Sequence, residues 1–295
     1  MTSPDKEQPN TSSDQGISKP IPFSQGSLQD YVDCPRRYQL RYLLHVAWPA
    51  LEAEPALEHE RHIQQGELFH RLIHQHQLGI PAQRLSQIAG SGNLGRWWVN
   101  YLEYASKPHN LGMPSLKRYP EVTLSAPIKD SRLVAKFDLV TISPENRATI
   151  HDWKTSLRRP SRSWLAARLQ TRAYLYLLIK AGAHLNSTNM LLPDHVDMIY
   201  WYADFPEDPE HFTYSQEQYQ QDEFYLNSLV DEITSRGEDG FPLTDHVERC
   251  QYCTYRSLCE RGIRAGNLEK IIRDTEAESD TDLIIDLEQI AEIEF

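Results

Sequence analysis

The chain has 295 residues, 40% of them hydrophobic and 24% charged, enough to bury the core of one large domain or two small ones, and no apolar run reaches the length of a membrane span. Four cysteines and no apolar leader tell against a secreted, disulfide-stapled scaffold and point to the cytoplasm. The net charge of −12 argues against a polyanionic partner, but from Asp274 onward the chain carries nine acids and no base, so the remainder is only −3.

Residues 1–20 are polar and without apolar periodicity, the composition of a disordered segment. A first helix is predicted over 24–44, with Ser27 as its cap, Asp30 in the capping-box position, and Leu28, Tyr31, Tyr38 and Leu40 as its apolar surface. Cys34 then lies on this helix, followed by a kink at Pro35 and by Arg36, Arg37 and Arg41. Helical patterns recur over 57–76 and 94–106. Three β-rich runs follow, 119–128, 131–143 and 147–156, separated by the turn signals "KD" and "PEN", which reads as a meander. One long helix over 163–182, a strand over 194–204 and a helix over 215–236 complete the pattern before a cysteine-rich loop. The order describes a mixed α/β fold, not a doubly wound one.

The loop "CQYCTYRSLC" holds Cys250, Cys253 and Cys259, and the fourth cysteine, Cys34, lies 216 positions upstream. Four thiolates make one tetrahedral site for zinc or for an iron–sulfur cluster. The Cys-x2-Cys-x5-Cys run, with Arg249, Arg256 and Arg261 around it, suits a soft metal better than a core, although buried thiols without a metal are the ordinary alternative.

On the strands, Asp138 in "AKFDLV" and Asp152 in "HDWKTS" fall near neighbouring strand ends. Lys154 follows Asp152 by two, so both side chains project from one face. Paired carboxylates hold Mg²⁺ or Mn²⁺, and a lysine beside them can orient an attacking water and offset charge on a phosphate. Gln170 and Tyr174, four apart, share a helix face, and Gly66 and His70 lie in the second helix, where an imidazole can complete a metal shell. Taken singly, each is ordinary: a solvated strand cap, a surface histidine, a core tyrosine.

The ordered series Cys34, Gly66, His70, Asp138, Asp152-x-Lys154, Gln170-x3-Tyr174, Cys250-x2-Cys253-x5-Cys259 resembles the RecB-type branch of the PD-(D/E)XK nuclease superfamily. In particular it looks like the iron–sulfur subset, as in the CRISPR-associated RecB-like exonucleases and the AddB nuclease domain. The resemblance implies an α/β, restriction-endonuclease-like core over 21–264, a mixed central sheet flanked by helices, with a helical N-terminal part and a C-terminal cysteine loop; the acidic tail over 265–295 has no counterpart in it. It implies that His70, Asp138 and Asp152, with the main-chain carbonyl of Trp153, ligate Mg²⁺ or Mn²⁺, and that Lys154 is the catalytic lysine. Gln170 and Tyr174 would position DNA and support the site, and Glu121 would lie beside it. Cys34, Cys250, Cys253 and Cys259 would ligate one [4Fe–4S] cluster, with zinc as the alternative. A glycine frequent in the family three places before the first metal aspartate is Ala135 here, which bears on fine geometry.

The implied activity is metal-dependent hydrolysis of DNA, as an exonuclease on single-stranded ends in repair, recombination or CRISPR-type defence. A DNA-binding partner subunit with little hydrolysis is the alternative. Trp153 to Pro193 contains seven bases and no acid, and Arg158, Arg159 and Arg162 are placed to grip phosphates. Trp97 and Trp98 are candidates for base stacking. The tail sets Leu283, Leu287 and Ile290 at helical spacing among acids; docking a protein partner, covering the basic stretch and solubilising the chain are all open to it.

Overall fold

The computed structural model describes residues 22–46, 54–187, 189–237, 240–251 and 253–261; the expectations for the N-terminal segment and the acidic tail lie outside these. The chain opens with α1 (Gln25–Asp33), capped reciprocally by Ser24 and Ser27 at 2.9 and 3.0 Å. The cap is therefore three residues earlier than expected. Asp30 pairs instead with Arg37 at 2.7 Å and Arg41 at 3.2 Å. Cys34 is not helical: its backbone is extended, and Pro35 opens α2 (Pro35–Tyr38), as expected where a residue preceding proline is pushed out of the helical region. A π-helical turn, Gln39–Leu43, follows. The expected Leu28, Tyr31, Tyr38 and Leu40 are all buried.

Three helices come next: α3 (Glu54–Gln77), α4 (Ala82–Ala89) and α5 (Gly92–Ser106). The meander is β1 (Lys117–Ile128), β2 (Ser131–Ile142) and β3 (Ala148–Lys154), antiparallel throughout. The long helix expected next is two, α6 (Arg162–Ala167) and α7 (Leu169–Ala181). The break falls at Arg168, which is extended, and the first free N–H of α7, that of Leu169, donates to the Gln29 side chain at 3.1 Å. A tertiary cap from α1 thus supplies what no Gly or Pro in the sequence announces.

Strand β4 (Val196–Tyr202) lies parallel to β3, and β5 (Phe205–Thr213) returns antiparallel to it, giving the order β1-β2-β3-β4-β5. β5 was not expected. Its sequence, FPEDPEHFT, is polar and carries two prolines, tolerable only because it is an edge strand with one side unpaired. Helices α8 (Gln216–Ser235) and the short α9 (Val247–Cys250) follow, and a 3-10 turn, Arg256–Cys259, is the last element among the described residues. The result is the mixed sheet flanked by helices anticipated above.

Each sheet face builds its own core. One contains Leu28 and Tyr31 of α1, Leu175 and Leu178 of α7, and Leu226 and Val230 of α8, packed on Phe137, Ile150 and Tyr200. The other is aromatic, joining Phe69 of α3 and Trp97, Trp98 and Tyr101 of α5 to Trp153 and Trp201. Trp97 and Trp98 are therefore fully buried, with their indole N–H groups donated to Asp204 at 2.8 Å and Ser86 at 2.9 Å. Packing excludes the base-stacking role considered for them.

Candidate active site and cysteine site

In β2, Ala135, Phe137, Val140 and Ile142 belong to the first core but Leu139 to the second. Strict alternation would put both Phe137 and Leu139 on one face, so the strand changes phase at Asp138. Beside it, the β2–β3 ladder stops at Leu139↔His151. Past that point the strands part, and the N–H of Trp153 donates to the Asp138 carboxylate at 2.8 Å in place of a strand carbonyl. Across the other ladder, Glu121 adopts a left-handed backbone (φ 54°) between paired neighbours Pro120 and Val122. Such a conformation costs about 1–3 kcal/mol in a non-glycine residue and persists only where its surroundings enforce it. Here Lys136 of β2 holds the Glu121 carboxylate by an ion pair.

Two irregular ladders thus project acids into one place, and α3 adds a base. His70 Nδ1 is 3.2 Å from Asp138 Oδ1. The donor atoms of His70, Glu121 and Asp138 all lie within 4.8 Å of one another. Burial pulls the His70 pKa down, but the charge and hydrogen bond of Asp138 outweigh it and raise it to about 9. Burial pushes the other way on Asp138, yet His70 and the Trp153 N–H hold its carboxyl below the ordinary range.

Asp152, buried, forms the second half of the site. Its Oδ1 accepts from Gln170 Nε2 at 2.9 Å, and its Oδ2 lies 3.0 Å from Lys154 Nζ, the same-face relation expected of a strand. Its negative charge acts on His70, so the halves adjoin. The close group differs from the expected ligand shell in one respect: it contains Glu121, while Asp152 is engaged by Lys154 and Gln170. Trp153 contributes its backbone N–H here, and its ring faces the aromatic core. Tyr174 packs on Phe137 at 4.7 Å and donates to the carbonyl of Lys136 at 3.0 Å, supporting β2 from behind. Ala135 is fully buried opposite Leu124.

The approach of α3 explains Gly66. A Cβ there would meet Thr155 Oγ1 at 3.0 Å, so glycine lets the helix close on the end of β3. His62, one turn earlier, donates from Nε2 to the Thr155 carbonyl at 2.9 Å. His62 was missed, although 62, 66 and 70 recur at helical spacing four.

Arg158 is exposed. Arg159 pairs with Asp208 and Glu210 of β5, and Arg162 with Glu210 at 3.0 Å. Further along the acid-free stretch, Arg172 pairs with Asp222 at 2.5 Å and Lys180 with Glu223 at 2.8 Å. The fold therefore supplies from β5 and α8 the acids that the stretch itself lacks.

The four cysteines are all free thiols, Cys250 buried and Cys34, Cys253 and Cys259 half-buried. Burial raises the Cys253 thiol, with Cys34 and Cys259 adding to it, and raises Cys259, with Cys34 and Cys250 adding to it. The distant thiols are therefore electrostatic neighbours. Protein contacts tie the two chain segments together around them: Arg36 N–H donates to the Pro242 carbonyl at 3.1 Å, Arg249 pairs with Asp33 at 2.6 Å, and the Tyr255 hydroxyl donates to the Val46 carbonyl at 3.2 Å. Among the described residues, no three thiols bring their sulfurs within 4.8 Å of one another.

A comparison with curated proteins gives no match. Among solved structures, the chain is similar to SSO0001, at 13% identity and a TM-score of 0.39 over 82% of this chain and 87% of that one. It is also similar to a candidate exonuclease from Eubacterium rectale, at 8% identity and a TM-score of 0.49 over 89% of this chain and 97% of that one. Residues 22–260 match the family model of the PD-(D/E)XK nuclease superfamily. With that match covering most of the chain, and two aspartates and a lysine gathered where the β2–β3 ladder parts, the chain belongs to the PD-(D/E)XK nuclease superfamily.

Proposed function

We propose that residues 21–264 form one RecB-like nuclease domain that hydrolyses DNA, acting as an exonuclease on single-stranded ends in repair, recombination or CRISPR-type defence. The observation that carries this reading is the gathering of His70, Glu121, Asp138, Asp152 and Lys154 at one point of the sheet. An imidazole with carboxylate oxygens suits a hard divalent cation such as Mg²⁺ or Mn²⁺. When bound, that cation supplies positive charge for the scissile phosphate and acidity for a water. The chain's own groups do the rest. The Trp153 N–H and His70 fix the Asp138 carboxylate. Gln170 holds one oxygen of Asp152, and the other holds Lys154, so the ammonium is aimed at the place where charge on the phosphate develops. Arg158 is the first contact proposed for the DNA backbone. Arg159 and Arg162 contribute where phosphates displace the β5 carboxylates, so binding weakens steeply with salt.

The four thiols bind a [4Fe–4S] cluster in this reading. Thiolates from both chain segments, neighbouring electrostatically and surrounded by arginines, fit such a group. The cluster would staple the two segments.

The test is cleavage of end-labelled single-stranded and duplex DNA with Mg²⁺ or Mn²⁺, using anaerobically purified protein beside Asp152→Ala. Metal-dependent cleavage that falls by about 10³-fold in the variant is expected. DNA binding without cleavage under either metal would favour the partner-subunit reading instead.

A further inference from the structure

We propose that Gln29 is a positioning residue of the active site: from α1 it holds the first turn of α7 in the place from which Gln170 reaches Asp152. Residues 163–182 read as one helix in sequence, and no Gly or Pro marks a break at 168. Arg168 is nevertheless extended (φ −68°, ψ 142°). In an unbroken helix the Leu169 N–H would donate to the Leu165 carbonyl. Side chains take both ends of that bond instead. Gln29 Oε1 accepts from the Leu169 N–H at 3.1 Å, and the Thr171 hydroxyl donates to the Leu165 carbonyl at 2.6 Å. The Arg168 N–H turns to the same carbonyl at 3.2 Å.

The neighbours of Gln29 set it for this. Leu28 and Leu169 are fully buried in one core, which seats α1 against the start of α7. The two ends of a glutamine amide are opposite in hydrogen bonding. Here Nε2 donates to Asp33 Oδ1 at 3.1 Å, one turn along α1, and Oε1 is left to face Leu169. Any acceptor at 33 serves, an asparagine oxygen included. The residue after Leu169 is Gln170, whose Nε2 donates to Asp152 Oδ1 at 2.9 Å, while Asp152 Oδ2 lies 3.0 Å from Lys154 Nζ. The Leu169 N–H is thus a fixed point one residue from the amide that holds the carboxylate. Once released, it is free to return to the Leu165 carbonyl, Arg168 regains helical backbone, and the turn that carries Gln170 is redirected. Groups that orient a site from outside are worth about 10- to 100-fold in metal affinity or activity, and Gln29, acting through Gln170, belongs at the low end.

The inference rests on the nuclease reading for what Asp152 is used for, so the test reads metal binding and cleavage separately. Mn²⁺ affinity, from the paramagnetic resonance signal of the free ion, the cleavage rate and the melting temperature are measured for wild type, Gln29→Met, Gln170→Ala and the double variant. Methionine keeps the length of the side chain and removes its acceptor and its donor. Gln29→Met is expected to weaken Mn²⁺ binding about tenfold while Gln170 is present. Once Gln170 is alanine the loss should be less than about twofold, because the effect passes through that amide. The fall in melting temperature from the lost helix cap is expected in both backgrounds alike. A merely structural cap would lower the melting temperature and leave Mn²⁺ affinity untouched, or weaken binding equally in both backgrounds. Either result would overturn the proposal. Should Gln29→Met fail to fold, Gln29→Asn, which keeps the amide but withdraws it by one methylene, carries the same cycle with the same outcomes. If no protein cleaves DNA yet the Mn²⁺ cycle behaves as stated, the nuclease reading falls and the positioning role stands.

Discussion

The acid-bearing end of the sheet and the cysteine region hold their side chains in place by different means. At the sheet, protein groups already hold every acid: the Trp153 N–H and His70 hold Asp138, Lys136 holds Glu121, and Gln170 and Lys154 hold Asp152. In the cysteine region the protein ties together the two chain segments that carry the four free thiols. The first arrangement is set by the ladders of a buried sheet. The second closes a loop of more than two hundred residues by an ion pair and main-chain hydrogen bonds, and is where the proposed cluster would sit.

Removing the metals should therefore affect the two regions unequally. Iron chelation is expected to raise amide exchange across 240–251 and in α1 by an order of magnitude or more, as those segments open locally. Removing divalent cations should leave exchange at β2 and β3 unchanged. Hydrogen-exchange mass spectrometry reads both, and equal loosening of the two regions would break the contrast.

A smaller effect should follow from Asp33→Asn. Asp33 is buried and pairs with Arg249 at 2.6 Å and Arg37 at 3.0 Å, so the change weakens the tie to the cysteine loop while leaving the sheet intact. A loss of about 1–3 kcal/mol is expected, seen as faster release of iron, with the cleavage rate of the iron-loaded protein changed less than about twofold. Smaller again is Gly66→Ala. The new methyl would crowd Thr155 Oγ1 at 3.0 Å, and shifting α3 by a few tenths of an ångström should cost about 1 kcal/mol and lower the melting temperature by about 2–4 °C. An unchanged melting temperature would show that Thr155 yields and that the glycine is not needed for the approach.

The meander, the strand that follows the long helical stretch and the same-face relation of Asp152 and Lys154 were legible in the sequence because strand alternation carries them directly; that the later strand runs parallel to β3, and that Asp138 lies within β2 and not at its end, were not. Other features depended on partners far along the chain. The break at Arg168 is capped by Gln29, the ion pairs that occupy Arg159 and Arg162 come from β5, and β5 itself reads as a loop because its edge position tolerates proline. The α1 cap was misplaced by three residues because Ser24 and Ser27 are both good caps, and only the reciprocal pair of hydrogen bonds distinguishes them.

The most direct test of the account sets Lys154→Ala beside wild type, both iron-loaded, on end-labelled single-stranded DNA with Mn²⁺, recording cleavage and visible absorbance from the same preparation. The account predicts that the variant keeps the colour of the cluster and loses cleavage by about 10²–10⁴-fold. Cleavage at the wild-type rate by Lys154→Ala would contradict it.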